Sequence, residues 1–130
     1  MKELSVLVVD DMNSVRQLLK SQLNEYGIEE IQEASNGEEA FSLIKNSIED
    51  KKIFDLFLVD INMPGMNGIT LLKNIRETSD YFQTPVIMVT TENEKDFIVE
   101  AALVGATDYL VKPFDEETFA KKIDEALNRR

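Results

Sequence analysis

The chain has 130 residues, of which 30% are charged, and a formal net charge of −11 at pH 7. It lacks the excess of Lys and Arg that binding to nucleic acid or to an anionic membrane requires, so we expect neither partner. It contains no cysteine and no histidine, which excludes disulfides, thiolate catalysis, Ser-His-Asp triads and a role as a phosphohistidine carrier. The apolar run near the N-terminus is too short for a secretory signal or a membrane span, so we expect a cytoplasmic protein.

Five short segments predict β-strands. Four of them are continuously apolar, which is the pattern of strands buried on both faces of a parallel sheet, and the other alternates as an edge strand does. In chain order the five segments are residues 4–9, the alternating 30–34, 55–59, 85–89 and 109–111.

Five segments with apolar residues at helical spacing alternate with these strands. Their apolar faces are marked by Val15, Leu18, Leu19, Leu23 and Tyr26; by Ala40, Leu43, Ile44 and Ile48; by Ile69, Leu72 and Ile75; by Phe97, Ile98, Ala101 and Ala102; and by Phe119, Ile123, Ala126 and Leu127. We expect Gly27 and Gly105 just beyond the ends of the first and fourth helices. The alternation predicts right-handed βαβ crossovers and a single (βα)5 domain over residues 1–130, a doubly wound three-layer α/β sandwich.

Polar side chains that can bind ligands or react lie where the apolar strands end. They are Asp10 and Asp11 after the first strand, Asp60 after the third, Thr90 and Thr91 after the fourth, and Lys112 after the fifth. In open α/β sheets, ligands bind at the carboxyl ends of the strands. Three carboxylates, a hydroxyl and an ammonium group are therefore expected to converge on one shallow pocket.

The charges of this pocket suggest its chemistry. Clustered carboxylates repel each other, and a divalent cation relieves the repulsion; ligand sets made only of oxygen favour Mg²⁺. With Asp11 and Asp60 on the metal and the Asn62 carbonyl completing its shell, Asp60 becomes the nucleophile that forms an aspartyl phosphate. Lys112 would supply a second positive charge and Thr90 a hydroxyl for the phosphoryl oxygens.

Each of these residues also has an ordinary structural interpretation. Taken alone, Asp60 is typical of a turn former or a helix cap, and the pair at 10–11 would suit a cap for a helix beginning near Asn13. Thr90 and Thr91 could cap the following helix, and Lys112 could be a solvated lysine. Their meeting at one edge of the sheet favours the functional interpretation.

Four sequence blocks, "VLVVDD", "LVDINMPGMNG", "VIMVTT" and "DYLVKPF", occur in the order and spacing of a known family. Essentially the whole chain resembles the receiver domain of two-component response regulators. The resemblance implies a flavodoxin-like, CheY-like sheet with strand order 2-1-3-4-5. It also implies a cis peptide bond between Lys112 and Pro113.

The resemblance implies a role for each residue of the pocket. Asp60 would be the phosphorylation site, Asp10 and Asp11 the acidic pair with Asp10 acting largely through water, Thr90 the switch hydroxyl, Tyr109 the switch aromatic residue and Lys112 the phosphate-sensing lysine. In this family the second residue after the aspartate and the second after the threonine set the rate of dephosphorylation. Here these are Asn62 and Glu92, a pairing that predicts a short-lived acyl phosphate.

Within the family the chain is most similar to single-domain chemotaxis regulators of the CheY type. The residues that match the face used for output are Lys95, Ile98, Ala102, Tyr109 and Lys122. One departure is Ile61, where many such regulators carry tryptophan beside the phosphorylated aspartate. The departure concerns closeness to the enteric proteins and leaves the chemistry unaffected.

The resemblance therefore implies a monomeric signalling switch with Mg²⁺ as cofactor, and not an enzyme acting on a separate substrate. Its expected partners are a CheA-like histidine kinase, a flagellar switch protein or another output protein, and a phosphatase. Alternatives are a phosphorelay shuttle that passes phosphate to a histidine-phosphotransfer protein and a receiver excised from a larger regulator, although Arg129 and Arg130 suit a natural end. A flavin-binding domain of flavodoxin type is disfavoured because "DDMNSV" would repel an anionic ligand.

Overall fold

The computed structural model describes residues 3–91 and 94–128, with the backbone but not the side chain of Lys95. Five strands alternate with five helices along the chain. They are β1 (Ser5–Val9), α1 (Asn13–Tyr26), β2 (Glu30–Ala34), α2 (Gly37–Glu49), β3 (Leu56–Asp60), α3 (Gly68–Glu77), β4 (Val86–Thr91), α4 (Lys95–Val104), β5 (Asp108–Lys112) and α5 (Glu116–Asn128). All ten predicted elements are present, with strand ends shifted by one or two residues.

The five strands form a parallel sheet in the order β2-β1-β3-β4-β5, so the implied topology is confirmed. The alternating segment β2 is an edge strand, as its pattern predicts. The register pairs Val9 with Val59, Asp60 with Val89 and Thr91 with Lys112. Because the strands end at nearly the same level, the side chains that terminate them lie along one edge.

The sheet is covered on both faces, which explains why its inner strands are apolar except at their ends. In β3, Phe57 and Val59 pack with α2, α3 and α4, whereas Leu56 and Leu58 pack with α1 and α5. Every residue of β3 is buried. The three-layer sandwich predicted from the alternation of elements is thus confirmed, with three helices on one face and two on the other.

Two helices place their apolar residues differently from the prediction. Leu18 in α1 is 47% exposed, because Leu19 and Leu23 are the residues that face the sheet. In α4 the side chains of Phe97 and Ala102 are also exposed, and Ala101 carries the buried position. The helical spacing of apolar residues predicts a broad apolar face. The rotation of the helix about its own axis decides which part of that face packs against the sheet.

The predicted ends of α1 and α4 are confirmed. Gly27 and Gly105 follow these helices with φ angles of 113° and 117°, the left-handed region that favours glycine. Arg76 of α3 reaches the second of these ends, donating from Nε to the Gly105 carbonyl (2.9 Å) and from Nη1 to the Tyr81 carbonyl (3.0 Å). The C-terminal end of α4 is therefore tied to α3 and to the loop that follows it.

Two further features bear on the sequence analysis. The peptide bond between Lys112 and Pro113 is cis, as the resemblance implies. Among the helices of the described residues, none is both long and apolar enough to cross a membrane.

Candidate functional site

Three carboxylates meet at the carboxyl edge of the sheet. Each of Asp10, Asp11 and Asp60 has an oxygen within 4.8 Å of an oxygen of the other two. Asp10 follows β1 and Asp60 is the last residue of the neighbouring β3, so sheet pairing alone brings these two together. Asp10 and Asp60 are buried, whereas Asp11 is exposed on the loop to α1.

Lys112 lies between the two buried carboxylates. Its Nζ atom is 3.6 Å from Asp10 Oδ2 and 3.7 Å from Asp60 Oδ1. Its side chain is 22% exposed, so the solvated-lysine alternative does not describe it. These separations lie beyond ordinary hydrogen-bond length, and the ammonium group therefore acts on both carboxylates mainly through its charge.

The burial of charge at this edge alters how the carboxyl groups titrate. Burial, reinforced by the nearby Asp10 carboxylate, raises the pKa of Asp60 to about 7, although Lys112 and the Asn62 backbone N–H oppose the rise. Burial also raises the pKa of Asp10, against a hydrogen bond from the Met12 N–H to its Oδ1 (2.9 Å). Asp10 Oδ2 is buried without a hydrogen-bond partner among the described residues.

The turn after β3 is shaped by a close approach of the backbone. The Gly68 N–H donates to the Ile61 carbonyl at 2.8 Å, and a Cβ atom at this position would lie 2.1 Å from the Asp60 carbonyl oxygen. Only glycine can start α3 so near to the aspartate. The loop therefore folds back over the end of β3, with Asn62 left exposed and Ile61 buried.

The end of β4 contributes two hydroxyl groups. Thr90 is fully buried and its Oγ1 donates to the Thr91 carbonyl at 3.3 Å, which is a long hydrogen bond. The Thr91 hydroxyl donates to Glu94 Oε1 at 2.8 Å. Glu94 is the N-cap of α4 and, as for Met12 before α1, no cap hydrogen bond from its side chain is present in the described part of the chain. The capping alternative for the acid pair is therefore wrong, whereas Thr91 does contact the start of α4, since its backbone N–H also donates to Glu94 Oε1 at 3.3 Å.

The predicted output residues lie on α4, β5 and α5, away from the acid cluster along the chain. Tyr109 is 41% exposed, and the Lys122 ammonium lies 4.9 Å from the centre of its ring. Ile98 is half-buried and Ala102 is exposed, and both line a cavity beside the tyrosine. Glu92 and the side chain of Lys95 lie outside the described residues.

Comparison with known proteins decides what this arrangement belongs to. Residues 6–124 match the family model of the response regulator receiver domain, and this range holds every residue of the acid cluster. The chain belongs to the response regulator receiver domain family.

Relatives of this receiver domain include named chemotaxis proteins. It is 40% identical to chemotaxis protein CheY-3 of Vibrio cholerae, over 98% of this chain and 95% of that protein. It is 37% identical to the chemotaxis protein CheY homolog of Campylobacter jejuni, over 95% and 92%. Its fold is similar to that of chemotaxis protein CheY4 of Vibrio cholerae, with a TM-score of 0.86, 38% identity and coverage of 97% of this chain and 100% of that one.

The acidic edge of this receiver domain fits a hard divalent cation. Receiver domains bind Mg²⁺ at an acidic pocket, and here three carboxylates provide oxygen ligands within a small volume. The buried Asp10 Oδ2, which has no hydrogen-bond partner among the described residues, is an acceptor that a cation or its bound water would satisfy. The donor set therefore suits Mg²⁺ and not a softer metal.

One residue that supports the receiver pocket was missed in the sequence. Arg16 Nη1 donates to the Asp10 carbonyl at 2.7 Å, and its Nε donates to Glu33 Oε1 at 3.0 Å. Lys20 also contacts Glu33 at 3.0 Å, and the hydrogen bonds from Lys20 and Arg16 lower the pKa of that carboxyl. In the sequence, Arg16 is only an arginine one turn into α1. Its contact with Glu33 can be recognised only when α1 is placed beside β2.

Proposed function

We propose that this receiver domain is a phosphorylation-driven switch. A histidine kinase would supply the phosphoryl group, Asp60 would accept it, and the consequence would be a change in binding to another protein. The observation that carries the proposal is the position of Lys112 Nζ between Asp10 and Asp60, 3.6 and 3.7 Å away, at the open edge of a parallel sheet. The partner kinase would place this domain in the cytoplasm, where we expect it to act as a monomer.

The transfer step follows from the groups at this edge. A carboxylate oxygen of Asp60 attacks the phosphorus of a phosphohistidine, the phosphorus–nitrogen bond breaks, and the imidazole nitrogen keeps the electron pair and takes up a proton. Mg²⁺, when bound by Asp10, Asp11, Asp60 and the Asn62 carbonyl, neutralises part of the charge on the carboxylates and the phosphoryl oxygens. Lys112 balances the rest of the charge, since its ammonium group already faces Asp60.

The response to phosphorylation would begin at Thr90. Its hydroxyl has only a long hydrogen bond to the Thr91 carbonyl, so it can exchange that partner for a phosphoryl oxygen at little cost. Movement of Thr90 would leave space on the adjacent strand for Tyr109 to turn inward, beside the half-buried Ile98. The face formed by α4, β5 and α5 would then change shape, which couples the pocket to a partner.

The lifetime of the signal would depend on water reaching the phosphorus in line with the bond to Asp60. Asn62 is exposed next to the pocket, and a polar side chain there leaves the approach open. With Glu92 as the second flanking residue, we expect the acyl phosphate to be short-lived. A phosphorylated form that persists for many hours would contradict this part of the proposal.

The test of the phosphorylation site uses a small donor and no kinase. Acetyl phosphate with Mg²⁺ should add one phosphoryl group to the chain, as measured by mass spectrometry, because the groups that promote transfer belong to the receiver itself. Asp60→Asn should abolish the addition, and Asp80→Asn, an exposed acid in the loop after α3, should not. Retention of the added mass in Asp60→Asn would refute the assignment.

For the output we propose chemotaxis signalling to the flagellar motor, with a CheA-like kinase, a flagellar switch protein and a phosphatase as partners. The support is the resemblance to named chemotaxis proteins and the exposed Tyr109 on the face that would bind the switch protein. A peptide from a flagellar switch protein should bind more tightly when beryllofluoride and Mg²⁺ mimic phosphorylation, and equal affinity in both states would refute the output.

A phosphorelay shuttle is the second candidate, and one observation favours it. Met12, which directly follows the acid pair, and Leu18, in the second turn of α1, are large apolar residues that stay exposed. Such a surface would suit docking of a histidine-phosphotransfer protein over the pocket. Incubation of the phosphorylated domain with such a protein should then transfer the label within seconds, and a double change of both residues to Ser should slow the transfer.

A further inference from the structure

Lys122 contacts the outer face of the Tyr109 ring. Asp108, the residue before Tyr109, forms an ion pair with the same lysine. Lys122 Nζ lies 4.9 Å from the ring centre and 2.9 Å from Asp108 Oδ1. A lysine at this distance over an aromatic face is attracted by the ring quadrupole. The three side chains thus join β5 to α5 on the surface of the domain.

Asp108 fixes the position of the Lys122 ammonium group over the Tyr109 ring. Its Oδ1 accepts from the backbone N–H of Tyr109 at 2.8 Å as well as from Lys122. The Asp108 side chain is only 14% exposed and that of Lys122 28%, so the ion pair is partly shielded from water. A shielded pair with one fixed partner loses less to solvent screening and side-chain entropy than a pair at the open surface.

The structure has space for a second position of the Tyr109 ring. A cavity of about 210 Å³ lies beside Tyr109 and is lined by Met88, Ile98, Ala101 and Ala106, among others. A cavity of about 150 Å³ is large enough for a benzene ring. The ring therefore has an apolar space to enter if its outward contacts are released.

We propose that Asp108 and Lys122 form a latch that holds Tyr109 outward and opposes its entry into this cavity. The latch rests on the proposed function, because an outward tyrosine matters only if its inward movement carries the signal. Asp108 and Lys122 are positioning residues, since they act through the tyrosine and touch no reacting atom. The ammonium–ring contact is present with Tyr109 outward, and entry of the ring into the cavity would take it away from Lys122, so removal of the contact should shift the balance toward the inward state.

The latch predicts a change in the resting chain, before any phosphorylation. An exposed contact between a lysine and an aromatic ring is worth enough to hold the outward state by a factor of about two to five. Lys122→Gln should therefore raise the inward-to-outward ratio of Tyr109 about two- to fivefold. Asp108→Asn should have a smaller effect in the same direction, because it loosens the lysine while keeping an acceptor for the Tyr109 N–H.

The experiment measures exposure of the Tyr109 ring in the full chain labelled with 3-fluorotyrosine. The chain has three tyrosines, so its fluorine spectrum is simple, and Tyr109→Phe assigns the signal. A soluble paramagnetic agent broadens signals of exposed rings, and its effect on Tyr109 should fall in Lys122→Gln and Asp108→Asn. Unchanged broadening of the Tyr109 signal in both variants would overturn the latch.

Matched variants separate the latch from a general change in charge. Lys121→Gln removes the same charge from the adjacent, exposed position of α5 and should leave the ring as exposed as in the wild type. Lys122→Arg keeps a cation that can pair and stack, so the outward state should be retained. The double variant Asp108→Asn with Lys122→Gln should change the ratio no more than Lys122→Gln alone, because both changes break one unit. An additive double variant would contradict the latch.

A separate arm tests the proposed function. Adding beryllofluoride and Mg²⁺ to the wild-type chain should protect the Tyr109 signal from the paramagnetic agent. If the wild type fails to respond while the two variants differ from it at rest, the switch is refuted and the latch stands. If the wild type responds and the variants equal it at rest, the latch is refuted and the switch stands.

Discussion

Two adjacent helices of ten residues cover the same face of the sheet, yet they are held very differently. Helix α3 follows the strand that carries Asp60 and buries five residues, and the Asn67 side chain caps its first turn. Helix α4 follows the strand that carries Thr90; among its described side chains Ala101 is the buried one, and Leu103 is 85% exposed. The N-cap residue of α4, Glu94, forms no cap bond with its side chain in the described structure.

The difference assigns separate physical roles to the two βα units. Under the proposed function, Asp60 would need a fixed position to meet a metal and a phosphoryl group, and the buried α3 provides one. The Thr90 hydroxyl would move on phosphorylation, and a neighbouring helix with little buried apolar surface could follow it at low cost. The following predictions test that contrast.

The largest expected difference concerns one leucine from each helix. Leu72 in α3 is fully buried in the core that α2, α3 and α4 form with the sheet, so Leu72→Ala should lower the free energy of unfolding by about 3–4 kcal/mol. Leu103→Ala in α4 should change it by less than about 0.5 kcal/mol. Urea denaturation of both variants measures the two values. A similar loss in both would mean that α4 is packed as firmly as α3.

The next effect concerns the metal-free chain and its pH dependence. Asp60 has a pKa of about 7 in the folded state, above its unfolded value, so folding favours the protonated form. Stability from this group is therefore present at low pH and is lost as the pH rises from about 4 to about 7. In the presence of a chelator, the free energy of unfolding of Asp60→Asn minus that of the wild type should increase by about 2–3 kcal/mol from pH 5 to pH 8.

Denaturation at both pH values provides the measurement, and Thr90→Val provides the matched change on the other βα unit. The Thr90 hydroxyl makes only a long hydrogen bond, so its replacement should shift stability equally at both pH values. If the stability difference between Asp60→Asn and the wild type is the same at pH 5 and pH 8, the buried carboxyl is not the source of the pH dependence of stability.

The smallest effect compares the first turns of the two helices. The Asn67 side chain accepts from the Thr70 N–H at 2.9 Å, so Asn67→Ala should cost about 1 kcal/mol in unfolding free energy. Glu94→Ala removes two hydrogen bonds from Thr91 but no bond to the first turn of α4, and the partly exposed Thr91 can bond to water instead, so this change should cost less than Asn67→Ala. Equal costs for the two changes, measured by thermal unfolding, would remove this part of the contrast.

Much of the fold could be predicted because it depends on local pattern. Strands buried on both faces are expected to be mostly apolar, and β1, β3 and β4 are apolar except at their ends, where Ser5, Asp60, Thr90 and Thr91 lie. The position of the acid cluster could be predicted for the same reason, since parallel strands place their carboxyl ends at one edge. These features need only the order of elements and the periodicity of each one.

The missed features depend on how separate elements are placed. Arg16 and Glu33 are 17 residues apart in sequence, and they meet only when α1 lies against β2. Asp108 and Lys122 meet only when β5 and α5 adopt their observed register. The exposure of Leu18 depends on the roll of α1 by a fraction of a turn. No periodic pattern in the sequence reports these relations.

Because Arg76 anchors the C-terminal end of α4, the helix can tilt about that end. One end is held where the guanidinium meets the Gly105 carbonyl, and the other end lies beside Thr91. A helix of ten residues is about 15 Å long, so a tilt of about 10° about the anchored end would move the Glu94 end, which is hydrogen-bonded to Thr91, by about 2–3 Å. Displacement is therefore greatest next to the pocket and falls to almost nothing at the loop before β5. A tilt of α4 would therefore change the shape of the domain most at the end of the helix nearest to Thr91.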